Sequence, residues 1–277
     1  MVNSQKKRPS FSIALVNYKT LEVTSICLDL ISQAVNVREV PVYVVDNHSA
    51  DASLDYLKTL NWIHLIERKA IAPEAGYMAH GRALDMVLER VTTDYLLLLH
   101  SDTLIYDAKI ITLLINALQA NSQAAAAGCL EQVNRPAYAT AWRKLVRGVK
   151  YYARRAKVAA GLKTRDPRLF YEIYLKSFCT MWNVNTIKKQ ALSFAMVDRI
   201  PGYEMQDKLR ELGYTFDCMA PSEMFQYLDH IEAGTVSHVN GLGKNHKRVK
   251  NYQAILKKIN AKTTNNAPKN ITLKIKQ

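Results

Sequence analysis

Apolar and polar residues come in blocks along the first 120 residues, and the blocks switch period. Residues 11–17 (FSIALVN) form an apolar run with β-branched members, which predicts a buried strand. Residues 21–35 space their apolar side chains as a helix does. Residues 40–45 (VPVYVV) predict a second strand, which stops at Asp46-Asn47-His48-Ser49. A short helix over 53–60 leads into 62–67 (WIHLIE), which alternates like a third strand. Residues 77–91 are helical in pattern, with Leu84, Val87 and Leu88 on one face. Residues 94–99 (DYLLLL) predict a fourth, buried strand, followed by His100-Ser101-Asp102-Thr103 and a helix over 108–120. This alternation predicts an α/β fold, a single mostly parallel sheet flanked by helices.

The second half is less regular. Residues 124–129 and 178–184 read as strands. Residues 207–212 read as a helix that ends at Gly213, a cap glycine. Residues 143–163 suit either a basic amphipathic helix or an irregular lobe.

Charge sharpens that division. The chain has 38 Lys and Arg against 24 Asp and Glu, net +14, but the excess is local. Residues 143–168 hold ten bases and one acid, Asp166. Residues 244–277 hold ten bases and no acid, so the remainder, with 18 bases and 23 acids, is mildly acidic. A basic helical insertion and a basic C-terminal tail are therefore predicted on an acidic body. Such patches suit a polyanion: nucleic acid, an anionic membrane face or a phosphorylated carrier.

At 277 residues and 48% apolar, the chain can bury a sizeable core, which argues against disorder. The four cysteines form no CxxC pair, which argues against a zinc site or a disulfide framework. The longest apolar runs are far shorter than a spanning helix. The polar start MVNSQKKRPS lacks the apolar core of a secretory signal, so a cytoplasmic location is expected.

In open parallel sheets, ligands sit at the carboxyl ends of strands. Those ends carry Asn17-Tyr18, Asp46 to Asp51 and His100 to Thr103. No GxGxxG follows the first strand and no GxxxxGK[ST] occurs, against a dinucleotide fold or a P-loop.

Three spacings coincide here. A strand ending Leu15-Val16-Asn17-Tyr18 is followed by one ending Val44-Val45-Asp46-Asn47-His48-Ser49-Ala50-Asp51. Then comes Tyr95-Leu96-Leu97-Leu98-Leu99-His100-Ser101-Asp102-Thr103. Together they resemble the family 2 glycosyltransferases, with a VxxYN-like first strand, a VDNxSxD turn and an LLxLxxD metal loop. The resemblance covers residues 11–120. A further echo from Gly202-Tyr203-Glu204 to Gly213-Tyr214 resembles the family's acidic acceptor-side helix, usually EDxD with a Gly-aromatic end.

The resemblance implies a GT-A-like domain over 11–240. Residues 11–120 would bind the nucleotide sugar and 121–240 the acceptor, with 143–168 inserted and 241–277 a partly loose basic segment. It implies inverting transfer of a sugar from a nucleotide-diphosphate-sugar to an acceptor hydroxyl, assisted by Mn or Mg. The setting would be surface polysaccharide, lipopolysaccharide or glycolipid assembly, on a saccharide or lipid-linked acceptor.

Residue by residue, Asp46 would hold the base or ribose. It equally suits an Asx-turn with Ser49, and Asp51 suits a helix N-cap. Asn17, Tyr18 and Ser101 lie in the same loops and complete the expected donor site. Asp102 matches the metal-contacting acid, while His100 replaces the first acid of the DxD pattern. The family often brings a later His back to the metal, for which His230 and His238 are the options. Gly76, with His80 or Arg82, stands where the family faces the diphosphate sugar; Gly76 and Gly81 would let backbone approach it. Glu204 aligns with the last acid of EDxD and is the expected general base. Asp207, one turn on, is the alternative, unless it pairs with Lys208 or Arg210.

The basic stretch interleaves Leu145, Val149, Tyr151 and Tyr152 with its charges. That pattern suits nucleic acid or an anionic bilayer. Family members with lipid-linked acceptors favour the bilayer, hence peripheral attachment at the inner membrane face. Two rival functions stand beside the transferase. One is a catalytically impaired nucleotide- or polyanion-binding module. The other is a nucleotidyltransferase, which would need a Gly-rich, Arg-containing signature where Asn17-Tyr18-Lys19-Thr20 stands.

Overall fold

The computed structural model describes residues 10–69, 74–165, 167, 169–197, 199–231 and 254. In chain order the elements are β1 (Phe11–Asn17), α1 (Leu21–Ala34), β2 (Val42–Asn47), α2 (Ala52–Thr59), β3 (His64–Arg68) and α3 (Gly76–Leu88). There follow β4 (Tyr95–His100), β5 (Thr103–Ile105), α4 (Lys109–Ala120), β6 (Ala124–Gly128), α5 (Ala137–Ala159), β7 (Cys179–Asn183) and α6 (Val184–Lys189). The described part closes with α7 (Tyr203–Glu211), β8 (Thr215–Cys218), α8 (Pro221–Met224) and β9 (Leu228–His230). His238 and, apart from Ala254, the basic segment 241–277 lie outside the described residues.

Seven strands form one sheet in the order β3-β2-β1-β4-β7-β6-β8. All its pairings are parallel except those of β7, which runs antiparallel to β4 and β6. The period-2 rule explains its two cores. On β1, Ile13 and Leu15 face the layer of α1, α2 and α4. Ala14 and Val16 face the layer of α3, α6 and α7. Both faces are buried, which is why these strands read as continuous apolar runs.

Three outcomes refine the expectations. The stretch 143–163 is helical as far as Ala159 rather than irregular, and its helix begins earlier, at Ala137. The acceptor-side helix also begins earlier, after Gly202 in the left-handed region at φ 78°. Finally, a second, two-stranded sheet of β5 and β9 lies outside the strand pattern read from the sequence. These strands are three residues each, too short to show alternation. No helix among the described residues is long and apolar enough to cross a membrane.

Candidate active site

The small sheet assembles the centre of the site. β4 ends at His100, the chain turns through Ser101-Asp102, and β5 begins at Thr103. In the β5–β9 ladder Thr103 pairs with His230, and the Ile231 N–H donates to the Asp102 carbonyl at 3.0 Å. His230 Nε2 therefore lies 3.2 Å from Asp102 Oδ1, and His100 Nδ1 lies 3.9 Å from the same oxygen. One ligating atom from each of His100, Asp102 and His230 falls within 4.8 Å of the others.

His230 Nδ1 meets the Gln132 carbonyl at 3.1 Å, so it carries the proton and donates. In the neutral ring Nε2 then turns a lone pair toward a carboxylate oxygen. Two acceptors facing one another require a proton or a cation between them. His100 Nε2 is fixed by the Ser177 hydroxyl at 2.8 Å, which leaves Nδ1 toward Asp102. His80 sets its ring edge-on to His100, centroids 5.7 Å apart. Burial lowers the His100 pKa to about 3, with His230 and His80 adding to the effect and Asp102 opposing it. Burial alone lowers His80 to about 4. Neutral imidazole is the ligating form. Cys27 donates its thiol to the Thr103 carbonyl at 3.1 Å. Burial, reinforced by Asp102, pushes that thiol well above its ordinary value, so it is no thiolate ligand.

The loops after β1 and β2 differ. Asn17 Nδ2 donates toward Asp46 Oδ1 (2.8 Å), Ser53 Oγ (2.9 Å) and Ser49 Oγ (3.1 Å). Its Oδ1 accepts from Thr24 and Thr20. The Ser49 N–H donates to Asp46 Oδ2 at 3.0 Å, the Asx-turn alternative of the sequence. Asp51 caps α2 through the Ser53 N–H. This network holds Lys19, His48 and Ala50 at φ of 53°, 63° and 48°, a strain of roughly 1–2 kcal/mol per residue. Asn17 and Asp46 are thus buried and internally bonded, while Tyr18 is exposed beside them.

Helix α3 joins the two halves. His80 faces the triad, but Arg82, two residues on, points elsewhere. Arg82 pairs with Glu74 at 2.8 Å, and Glu74 also binds Arg68, which reaches Asn47 at the end of β2. A side chain at Gly76 would meet nothing within 4 Å. Gly81 is a packing glycine, not an approach to ligand: a Cβ there would sit 3.0 Å from Ala195 and 3.1 Å from Pro201. One turn on, Asp85 accepts from the N–H groups of Phe194 and Ala195, at 2.6 and 3.1 Å. So α3 holds the segment that delivers Arg199 and α7.

That segment restrains both base candidates. Arg199 Nη1 lies 2.7 Å from Glu204 Oε2 and 3.0 Å from Asp207 Oδ2. Asp207 also accepts from Tyr174 (2.8 Å) and Arg210 (3.2 Å), the surface-pair alternative of the sequence. Glu204 meets only Arg199 among the described residues. Neither belongs to the cluster around Asp102. The sequence reading missed four contributors: His100 as a ligand, Arg199 as the clamp, and Gln132 and Ser177 as the orienters of His230 and His100. Only His100 carried a signal, its place two residues before Asp102.

Beside Gln132 opens a cavity of about 160 Å³, lined by Leu130, Glu131, Arg135, Arg143, Glu172 and Lys176 as well. Arg135 and Arg143 each lie 3.0 Å from Glu131, and Lys176 lies 3.0 Å from Glu172.

Known structures share this architecture. One is the mannosyltransferase PcManGT from Pyrobaculum calidifontis, solved with GDP-Man and Mn2+: TM-score 0.52, 15% identity, over 77% of this chain and 55% of that one. Another is glucosyl-3-phosphoglycerate synthase from Mycobacterium tuberculosis, with phosphoglyceric acid: TM-score 0.50, 15% identity, over 76% and 69%. A third is S. aureus TarS 1-349: TM-score 0.50, 14% identity, over 96% and 75%. This chain spans little more than half the length of the mannosyltransferase. At such identities the likeness is one of fold, here the GT-A type. No curated protein matches the chain. The sequence itself carries the kinship further: the model of glycosyl transferase family 2 matches residues 12–180, from β1 to the strand that backs the triad, and the chain belongs to that family.

Proposed function

We propose that the chain transfers a sugar from a nucleotide-diphosphate-sugar to an acceptor hydroxyl, by direct displacement with inversion. The observation that carries this reading is the His100, Asp102 and His230 cluster at the carboxyl end of β4. A buried carboxylate with imidazole nitrogens at 3.2 and 3.9 Å from one oxygen fits a divalent cation. Two nitrogen donors favour Mn2+ over Mg2+, which prefers oxygen. When bound there, the cation would neutralise the donor diphosphate and ease its departure.

The chain's own residues supply the rest. Gln132 and Ser177 orient the two imidazoles. His80 backs His100 from the first turns of α3, next to Gly76 at the helix N-terminus, which suits phosphate oxygens. The exposed ring of Tyr18 offers a face for the nucleoside at the ends of β1 and β2. Glu204 takes the proton of the acceptor hydroxyl once that hydroxyl displaces Arg199 from it. The saccharide or lipid-linked acceptor enters over the cavity of Arg135, Arg143 and Lys176.

The Arg199 clamp favours one other reading, a binding module that holds the nucleotide sugar without turning it over. A thermal-shift screen of nucleoside diphosphates with and without manganese, followed by transfer and hydrolysis assays on a nucleotide-sugar panel, separates the two. Manganese-dependent stabilisation with turnover supports the transferase. Stabilisation without turnover on any donor supports the binding module. No stabilisation by any nucleotide removes both.

A further inference from the structure

None of the 23 residues of α5 is buried, although the helix is long and well formed. Its inner face is held by charge: Arg143 lies 3.0 Å from Glu131 and Arg147 lies 2.8 Å from Glu172. Tyr151 also rests against Phe170, ring centroids 5.8 Å apart. The opposite face carries Tyr138, Trp142, Leu145, Val149, Tyr152 and Ala156, spaced four and three residues apart throughout. At roughly 100° per residue they form one narrow stripe. Its five large members are 58–78% exposed. Lys144 and Arg155 flank the stripe on one side, Lys150 and Lys157 on the other. The helix carries seven Lys and Arg and no acid.

The charge selects the occupant. The C-terminal segment from Lys244 has ten bases and no acid, so it is repelled from this face. A second copy of α5 would set like charge against like along the whole seam. Nucleic acid would satisfy the bases but gains little from the aliphatic Leu145 and Val149. An anionic bilayer satisfies both features. The stripe enters the acyl boundary, Tyr and Trp rings sit at headgroup level, and the flanking Lys and Arg reach the phosphates. We propose that α5 is an in-plane amphipathic anchor that lays this stripe on an anionic membrane surface. The inference goes beyond the transferase reading and does not depend on it. If both hold, Arg143 on the inner face keeps the cavity beside Gln132 about one helix diameter, ~10 Å, from the bilayer.

Sedimentation of the whole protein with vesicles tests the anchor. Vesicles of equal parts phosphatidylglycerol and phosphatidylcholine should bind it, and phosphatidylcholine alone should bind it far less. Binding should fall with salt. Trp142→Gln with Leu145→Gln removes two exposed side chains, so the melting temperature should hold while vesicle affinity falls roughly a hundredfold. The blue shift of tryptophan fluorescence on vesicle addition should vanish with it. Lys144→Glu with Arg155→Glu should also weaken binding and flatten its salt dependence. Failure to bind the mixed vesicles overturns the proposal. So does binding that ignores the Trp142 and Leu145 pair, or an RNA that binds the protein more tightly than the vesicles do. Dissociation of a dimer by that pair, with vesicle affinity unchanged, would reassign the stripe to a protein interface. Donor binding, measured on the same variants, reports separately on the transferase reading.

Discussion

Asp46 and Asp102 close the loops on either side of β1, and both are nearly buried, at 2% and 7% exposure. Their surroundings are opposite. Asp46 accepts from Asn17 and from the Ser49 N–H, one donor to each oxygen, and its charge is spent on shaping a strained loop. Asp102 turns one oxygen to two imidazoles, His230 Nε2 at 3.2 Å and His100 Nδ1 at 3.9 Å. A buried carboxylate surrounded by donors is structural, because its desolvation is already offset. A buried carboxylate beside two imidazole nitrogens is matched either by a proton on a ring or by a bound cation. The same residue type at neighbouring strand ends thus stands in two different settings, and only the neighbours tell them apart.

The largest test of this contrast is Asp102→Asn. A metal ion's electrostatic contribution is several kcal/mol, so transfer should fall by roughly 10²–10⁴-fold. The manganese-induced rise in melting temperature should disappear as well. Retention of both would remove Asp102 as a ligand and erase the difference.

Asn17→Ala attacks the other side. It leaves Asp46, Ser49 and Ser53 without a shared donor, at a cost of about 2 kcal/mol in denaturant unfolding. The manganese response should survive. Intact stability with lost nucleotide affinity would instead make this loop a ligand site, as the family resemblance implied for Asp46.

Acidification should weaken the fold as well. Burial lowers His80 and His100 to about 4 and about 3, below the ordinary value of 6.5. The unfolded chain therefore binds protons that the native state refuses, so stability drops as pH falls from about 6.5 toward 4. The slope is at most about 1.4 kcal/mol per pH unit for each ring. Melting temperatures across that range measure it, and a flat profile would mean that the rings protonate in place.

Arg82→Ala should have the smallest effect. Its side chain is 57% exposed and its partner Glu74 keeps Arg68. A stability change under about 1 kcal/mol is expected, with donor affinity changed less than tenfold, about 1.4 kcal/mol. A larger loss of donor binding, read by calorimetry, would return Arg82 to the diphosphate site.

Much of this was legible in one dimension. The runs at 11–17, 40–45 and 94–99 place buried strands, and the polar residues after each mark the edge where ligands gather. The Asx-turn at Asp46 and the cap at Asp51 were readable because both bonds are local. His230 was named among the metal candidates only through the family resemblance. The alternatives left open were between residues whose competition is decided across the fold: His80 or Arg82, Glu204 or Asp207.

The sequence alone determined six of the seven strands of the large sheet, its two-sided burial, the basic character of residues 143–168 and the family, because periodicity and local spacing carry those. Tertiary structure decided which side chains meet. A three-residue ladder brings His230 to Asp102 across more than a hundred residues of chain. Gly81 and Asp85 dock the segment that sets Arg199 on Glu204 and Asp207. The same packing leaves the stripe of α5 outside both cores. Contacts between distant residues depend on register and packing, which the order of residues along the chain does not display.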